Sequence, residues 1–579
     1  MHARRRLADP IVHGPLAAVA IGVAGAVLGV ASYETYLLSL ALLYGIAAIG
    51  LNVPAGLFGQ LSLGQGAAFA VGAYTSAILT TTLDAPVVIG LAAALVVGTA
   101  AGAVMGLPAG RLGVIGLAMV SLGLTFVVQD AARGLDITGG VGGVLGIRAP
   151  LVWGMDDAGA GELFFATLAL ALVVYLGASA LRLSHFGRAA LAIKADELGA
   201  AALGIAVYPA KVAGFALGTG VGALGGAMFS YLSTAITPDF FDVHLSVLFL
   251  IMVVLGGPGT RSGPVLGAAI VGILPILLSG HPALSSYIYG GLIIVAIRVL
   301  PRGIVSRTSV PVPDRLLPTP PPADTAAPAE DPQRPTAPAD TGAQLDARGL
   351  RRSFGGVVAL DDVDVTLRGG QVLGVIGPNG SGKTTLVNVL SGYYPPEAGE
   401  VRIDGTPVAV GDPVALATEG VSRTFQVPKV FGDLSVDEHL ALARRGATGP
   451  PAHRERFEGL AMTFLRDTGL LDQRRATVRT LAHGTRRFLE VGMAVLRAPR
   501  LLLLDEPAAG LSAEDMALLG QLITRVAAEG VPVVLVEHHL ELVHDVCDTV
   551  AVMNLGAILW SGPPAELQDS PEVREAYLA

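Results

Sequence analysis

Apolar stretches of about twenty residues follow one another through the first half of the chain, and a helix needs roughly that length to cross a bilayer's hydrocarbon core. They fall near residues 12–31, 35–53, 61–82, 86–106, 113–130, 162–181, 209–231, 243–256, 264–280 and 284–300. Several are short or interrupted by glycine, so eight to ten spans are expected. Glycines recur along them, at Gly64, Gly66, Gly72, Gly98, Gly102 and Gly106, and again at Gly214, Gly218, Gly220, Gly222, Gly225 and Gly226. Lipid tails are as apolar as leucine, so helices associate in a membrane by close packing, and small residues permit it. A crowded helical bundle follows.

Charge orients that bundle. Arg182, Arg188, Lys194 and Lys211 make the densest basic loop of this half, and Arg298, Arg302 and Arg307 lie at its end. Both regions are expected to be cytoplasmic by the positive-inside rule, as is the N-terminus with Arg4, Arg5 and Arg6. The run 11–31 has the look of a secretory signal. No small-residue cleavage site follows it, and an uncleaved first helix or a peripheral one is the reading preferred. Residues 132–161, with Asp136, Asp156, Asp157 and Glu162, are the expected large external loop.

At 579 residues the chain exceeds one hydrophobic core, and its composition changes sharply along its length. A mean hydropathy of +0.62 is too high for a soluble chain and comes from the first half. Three segments result: a multi-span membrane domain 1–307, a linker 308–343 and a soluble α/β domain 344–579. The linker holds ten prolines between residues 308 and 342 and no apolar period, which reads as a tether spanning at most roughly 100 Å. The net charge of −9 offers no basic stripe for nucleic acid. The one cysteine, Cys547, excludes an internal disulfide and reads as a small core residue.

In the soluble half, Val372-Leu-Gly-Val-Ile376 reads as a buried strand that runs into Gly377-Pro-Asn-Gly-Ser-Gly-Lys-Thr384 and then an apolar helix over 386–390. This is the strand, GxxxxGK[ST], helix context of a P-loop. Gly377, Pro378, Asn379, Gly380, Ser381 and Gly382 let backbone amides wrap a β-phosphate, and the helix N-terminus adds its positive dipole end. Lys383 is expected to bridge β- and γ-phosphates, Thr384 to ligate Mg²⁺, and Thr385 to complete the loop. A second strand, 501–504, ends in Asp505-Glu506. Asp505 is expected to hold the metal and Glu506 to polarise the attacking water; the plainer reading is an acidic pair ending a strand. A third strand, 533–536, ends in Glu537-His538, which places His538 within reach of a γ-phosphate.

These residues resemble the ATP-binding cassette (ABC) ATPase family. In that resemblance Thr424-Phe-Gln426 is similar to the Q-loop, with Gln426 near the metal and the attacking water. Leu481-Ala-His-Gly-Thr485 stands where the family's LSGGQ signature stands, His538 where its switch histidine stands, and Ala509-Gly-Leu-Ser512 where its D-loop stands. Phe354, in Ser-Phe-Gly-Gly, is similar to the aromatic residue that stacks on adenine. Coverage is about 345–577, with the motifs in order. Two signature positions depart from the pattern: Ala482 replaces Ser and Thr485 replaces Gln. Leu481, Ala482, His483, Gly484 and Thr485 are still expected to meet the γ-phosphate of an opposing subunit's ATP, with Thr485 bearing on the rate. Arg423-Thr-Phe-Gln, Leu504-Asp-Glu-Pro-Ala-Ala-Gly-Leu, Val536-Glu-His-His-Leu-Glu-Leu-Val and the terminal Ala-Tyr-Leu resemble the G-type ATPase of branched-chain amino-acid importers. His539 stands where Asp is common.

The membrane half resembles the M-type permease of the same system over about 40–300. Gly59-Gln-Leu-Ser-Leu-Gly-Gln-Gly66, the loop 139–146, Phe186-Gly-Arg-Ala and Leu255-Gly-Gly-Pro-Gly-Thr260 carry that resemblance, less specifically than the cassette motifs do. Residues 196–203 read as a short amphipathic helix opened by Asp196 and Glu197 and ended at Leu203 and Gly204. It resembles the coupling helix that docks beside the Q-loop; a plain cytoplasmic turn is the alternative. Polar residues among the spans (Asn52, Gln60, Gln65, Gln129, Asp130 and Arg133) are candidates for the solute path, and Gln60 and Gln65 equally for bundle glue.

The fold class expected is therefore a multi-span α-helical membrane domain plus an α/β P-loop NTPase domain. The function implied is an ATP-driven importer subunit for branched-chain or related amino acids, using ATP and Mg²⁺ in the plasma membrane with the ATPase cytoplasmic. Urea, short amides and small carboxylates stay open as solutes. An exporter and a non-transporting ATP-driven regulator stay open as functions. One chain supplies one cassette while each ATP site needs two. The resemblance thus implies either an H-type permease and an F-type ATPase as partners or a homodimer, with an external solute-binding protein.

Overall fold

The computed structural model describes residues 33–150, 158–277, 303–305, 344–408 and 411–567, with isolated positions between and beyond them. The expected spans 12–31 and 284–300, the linker apart from Leu317, and the terminal Ala-Tyr-Leu lie outside the described residues. The chain divides into two compact units, residues 1–194 with 207–308, and residues 195–206 with 309–579. The short segment read as a coupling helix therefore belongs to the unit that holds the P-loop.

In the first unit the helices are α1 (Tyr33–Leu51), α2 (Gln65–Leu83), α3 (Val87–Gly106), α4 (Val114–Gly134), α5 (Ala160–Leu183) and α6 (His185–Ala195). After α7 (Glu197–Ala202), of the second unit, come α8 (Val207–Ser233), α9 (Val243–Gly256) and α10 (Gly263–Leu277). By length and composition α1–α5 and α8 can cross a membrane; α9 and α10 are shorter apolar helices. Eight of the ten expected spans thus stand as helices, with ends within a few residues of those read from the apolar runs.

Helix α8 organises the bundle through its glycines. A Cβ on Gly226 would overlap the Phe69 carbonyl of α2, and one on Gly72 the Ala223 carbonyl of α8. Gly50 and Gly218 face each other likewise, each Cβ position lying 2.5 and 2.6 Å from the other residue's carbonyl oxygen. Backbones meet where side chains are absent, as close helix packing in lipid requires.

Polar residues fill the remaining gaps. Gln65 donates to the Ala47 carbonyl at 2.9 Å, so it acts as glue between α1 and α2. At the end of α1 the chain widens into a π-helical turn, Asn52–Leu57, around Pro54, which has no N–H to give the helix ladder. Asn52 there donates to Thr260 O at 2.9 Å and accepts from Gly259 N at 2.7 Å. Lys194, at the end of α6, donates to the Gly56 carbonyl at 2.8 Å. Asp130 and Arg133, read above as candidates for the solute path, lie exposed near the end of α4, within a stretch long and apolar enough to cross a membrane, and Arg133 pairs with Asp239 at 2.8 Å. The loop after α4 is ordered by a two-strand pairing, β1 (Val144–Leu145) antiparallel to β2 (Ala235–Ile236); its residues 151–157 lie outside the described residues.

The second unit holds two sheets. β3 (Gln344–Phe354), β4 (Val357–Arg368), β6 (Ala398–Ile403) and β7 (Thr406–Pro407) form an antiparallel sheet in the order β4-β3-β6-β7. The larger sheet joins β5 (Val372–Ile376), β8 (Val421–Arg423), β9 (Leu501–Asp505), β10 (Val533–Val536), β11 (Thr549–Asn554) and β12 (Ala557–Gly562), ordered β12-β11-β5-β10-β9-β8. All neighbours in it are parallel except β12. β5, β9 and β10 are buried at every residue, as parallel strands covered on both faces must be. Helices α11 (Lys383–Leu390), α12 (Pro413–Thr418), α13 (Val436–Arg445), α14 (Pro451–Asp467), α15 (His483–Leu496), α16 (Ala513–Ala528) and α17 (Leu540–Val546) surround it. Open sheets of this kind bind ligands at the carboxyl ends of their strands, and the motifs stand there.

The glycine contacts make a sharp stability prediction. Gly226→Ala forces a methyl against the Phe69 backbone and is expected to cost about 1–3 kcal/mol. Gly177→Ala, in α5, meets nothing within 4 Å. Thermal unfolding of the detergent-purified protein should show a lowered midpoint for the first substitution and an unchanged one for the second.

Candidate functional site

The glycine loop leaves the end of β5 and enters α11 at Lys383. Gly377, at φ 152°, and Gly382, at φ 104°, hold left-handed backbone. A Cβ on either would overlap a carbonyl, of Met553 and Ala359 respectively. Gly380, at φ 83°, has open space where its Cβ would stand. The loop is thus fixed at both ends and clear at its middle, as a backbone phosphate cradle requires. Pro378 is half-buried and Asn379 exposed; Thr384 is exposed in the first turn of α11, with Thr385 half-buried beside it. The Lys383 ammonium is buried and donates to the carbonyls of Gly377 at 2.8 Å and Pro378 at 2.9 Å. Burial lowers its pKa from the ordinary lysine value.

Three strand ends converge on one carboxylate. Glu506, one residue past β9 and at φ 48°, accepts from Gln426 Nε2 at 3.2 Å, and its other oxygen lies 3.0 Å from His538 Nε2. Gln426 follows β8 and His538 follows β10, so the parallel order β10-β9-β8 delivers all three side chains to one edge. The turn beyond is set by a residue to which the sequence reading gave no role. Glu537 is buried and accepts from Ala508 N at 2.7 Å and from the backbone N–H of His538 at 3.0 Å.

Asp505, next to Glu506, is buried, and neither carboxylate oxygen has a hydrogen-bond partner. Burial pushes its pKa up to about 6. A buried carboxylate with free lone pairs suits a cation, and the Asp505–Thr384 donor set is the hard-oxygen kind that Mg²⁺ prefers. Among the described residues no three His, Cys, Asp or Glu side chains cluster as a metal site; the residues fit an ion that takes its remaining ligands from phosphate and water.

The other predicted residues stand apart from this edge. Phe354 ends β3, half-exposed, with Tyr394 edge-on at 5.0 Å and the Arg352 guanidinium 4.9 Å from its ring. Leu481–Thr485 leads into α15, and no hydrogen bond joins it to residues 377–385 among the described residues. Its N-cap is Ala482, which offers no side-chain cap. The first-turn amides of α15 therefore stay available as donors.

Helix α15 also holds the loop that carries Gln426. Arg487 donates to the carbonyls of Phe425 and Gln426, and pairs with Glu490 at 3.1 Å. Glu490 accepts from Phe425 N at 3.2 Å and Lys429 N at 2.8 Å. The same loop meets the segment 195–206. Asp196 caps α7 by accepting from Gly199 N at 2.7 Å and pairs with Lys429 at 2.7 Å. Glu197 opens the helix, the Leu203 carbonyl accepts from the buried Arg497, and Gly204 takes φ 76° where the helix stops.

A strand-end nucleotide site in one unit and a multi-span bundle in the other define a membrane permease joined to an ATP-binding cassette. Residues 33–297 match the family model of the branched-chain amino acid transport system permease component, and residues 360–509 that of the ABC transporter. The high-affinity branched-chain amino acid transport ATP-binding protein BraF of Pseudomonas aeruginosa is 37% identical over 248 residues, 40% of this chain and 97% of that protein. LivG of Escherichia coli, of the same description, is 34% identical over 247 residues, again 40% and 97%. The crystal structure of a nucleotide-free ATP-binding cassette from an ABC transporter is 26% identical, covering 41% of this chain and 99% of that one, with a TM-score of 0.36. The chain belongs to the ABC transporter family, as a permease component of the branched-chain amino acid type fused to its ABC ATPase.

Burial raises the Glu490 pKa to about 7. A carboxyl whose folded pKa lies above its unfolded value binds more protons when folded, so it favours folding at low pH. Stability is expected to fall between about pH 4.5 and 7 through this group. Glu490→Gln should flatten that part of the profile, which thermal midpoints of the two proteins from pH 5 to 8 will measure.

Proposed function

We propose that the chain is the fused M-type permease and G-type ATPase of an importer that takes up branched-chain or related amino acids at the cost of ATP. The observation that carries the ATPase half of this reading is the shared carboxylate of Glu506, held between Gln426 and His538 at 3.2 and 3.0 Å. The named roles of its BraF and LivG relatives support the solute class.

In this reading Glu506 is the general base. Its left-handed backbone turns the carboxylate out from the strand end, and Gln426 and His538 fix its orientation. A base must lie within hydrogen-bond reach of the proton it takes, and a carboxylate oriented from two sides meets that need without searching rotamers. His538 touches the base directly and orients toward the γ-phosphate. Lys383 draws the β- and γ-phosphates to the loop amides, and Phe354 offers a ring face to adenine. Asp505, Thr384 and Gln426 would hold Mg²⁺, which would supply charge neutralisation at the phosphates. Leu481–Thr485, which no hydrogen bond joins to this P-loop among the described residues, serves the ATP of a second cassette through the open amides of α15.

The assembly then needs a second cassette and a second permease, either an H-type permease with an F-type ATPase or another copy of this chain. An external solute-binding protein delivers the solute. Residues 1–307 lie in the plasma membrane with residues 344–579 cytoplasmic, and residues 308–343 tether them. Asp196, Glu197, Leu203 and Gly204 make the docking element that passes closure of the cassettes to α6 and α8, the helices on either side of it in the chain.

Glu506→Gln tests the base assignment. The hydroxide-generating step should fall by about 10²–10⁴-fold, the usual contribution of a general base, while ATP affinity stays within about twofold. Steady-state hydrolysis at the native rate in that variant would remove Glu506 from the role. His538→Ala is expected to lower hydrolysis less, since the base remains.

A further inference from the structure

A second set of contacts runs from the nucleotide edge to α7 without passing through Gln426. It begins at Arg423, the last residue of β8, whose side chain and that of Asp505 are 3% and 1% exposed and stand 4.0 Å apart. The guanidinium does not hydrogen-bond to Asp505. It donates to Asn388 Oδ1 at 2.8 Å, in the last turn of the P-loop helix, to Ser391 Oγ at 2.7 Å, just past that helix, and through Nε to the Thr424 carbonyl at 3.3 Å. It also lies over two rings set edge-to-face, 4.9 Å from the centroid of Tyr393 and 4.1 Å from that of Phe425. The Tyr393 hydroxyl then donates to the Leu198 carbonyl in α7 at 2.6 Å.

We infer that Arg423 and Tyr393 form a positioning pair that carries the charge state of Asp505 to the backbone of α7. The inference rests on Asp505 holding the cation, as in the reading above. A carboxylate and a guanidinium 4 Å apart in a poorly solvated interior attract strongly. A cation placed on Asp505 neutralises the carboxylate and relaxes that pull on Arg423. The planar guanidinium is confined by two rings and three acceptors, so its adjustment moves the edge-to-face ring pair. Tyr393 is a rigid side chain with a polar tip, and that tip is bonded to α7. Lysine cannot replace Arg423 here: it keeps the charge but has no planar face to lie over the rings and no Nε–H for the Thr424 carbonyl.

The test reads α7 directly and needs no solute. Hydrogen exchange is followed by mass spectrometry over residues 195–206 in the assembled full-length complex in lipid nanodiscs, with and without a non-hydrolysable ATP analogue and Mg²⁺. In the wild type the nucleotide should change exchange across α7. Tyr393→Phe, which removes one hydroxyl, should shrink that change at least threefold while exchange over residues 425–430 still responds and nucleotide affinity stays within twofold. Arg423→Lys should shrink it similarly, and the double substitution should do no more than either alone, as for two members of one line. A wild-type-sized response in Tyr393→Phe, additive effects in the double variant, a lost nucleotide affinity in Tyr393→Phe or no nucleotide response in the wild type would each overturn the inference. Failure of the amino-acid reading would appear instead as absent uptake by a wild-type complex whose α7 still responds.

Discussion

Every chemical assignment in the cassette depends on adjacent parallel strands ending at one edge. β8, β9 and β10 are neighbours in the sheet, and each is followed within a few residues by a side chain of the Gln426, Glu506 and His538 set. β5, on the other side of β10, delivers the glycine loop. The strands are buried throughout, so their register is fixed by the apolar core, and a one-residue slip would turn each terminal side chain to the wrong face. The positions of the reacting groups are consequences of hydrophobic packing. The hydrogen bonds of Glu506 then refine an arrangement that the core has already made.

The membrane unit solves a different problem by a related means. Its helices gain little from burial in lipid, so their closeness comes from absent side chains along α8 at Gly218, Gly222 and Gly226, and from backbone-directed polar contacts such as those of Gln65 and Asn52. The π-helical turn at Asn52 and Pro54 is the place where this bundle departs from regular helix; the Asn52 side chain ties it to the loop at Gly259–Thr260, and Lys194 meets its Gly56 carbonyl.

Much of this was legible in the sequence where the signal is local. Strands β5, β9 and β10 are apolar runs bounded by glycine or acidic residues, and the loop between Gly377 and Thr384 names its own backbone geometry. The helix Glu197–Ala202 was readable from acids at its start and a glycine at its end. What could not be read joins residues far apart in the chain. Glu490 reaches Phe425 across 65 positions and Arg497 reaches Leu203 across 294; buried ion pairs and capped carbonyls carry no local periodic mark. The sequence placed Asp130 at the end of an apolar run with Arg133 just past it; the helix continues through both and leaves them exposed within a stretch long and apolar enough to cross a membrane. Glu537, beside a histidine already noticed, gave no sign that it anchors the turn after β9.

The central claim is that hydrolysis at the Glu506 site is geared to an amino acid arriving from outside. ATPase activity of the complex purified into lipid, titrated with binding protein carrying leucine, isoleucine, valine or urea, measures that gearing most directly. The account predicts stimulation by the binding protein loaded with a branched-chain amino acid, and none by the unloaded or urea-loaded form. Intact basal hydrolysis that none of the amino-acid-loaded proteins raises would contradict it.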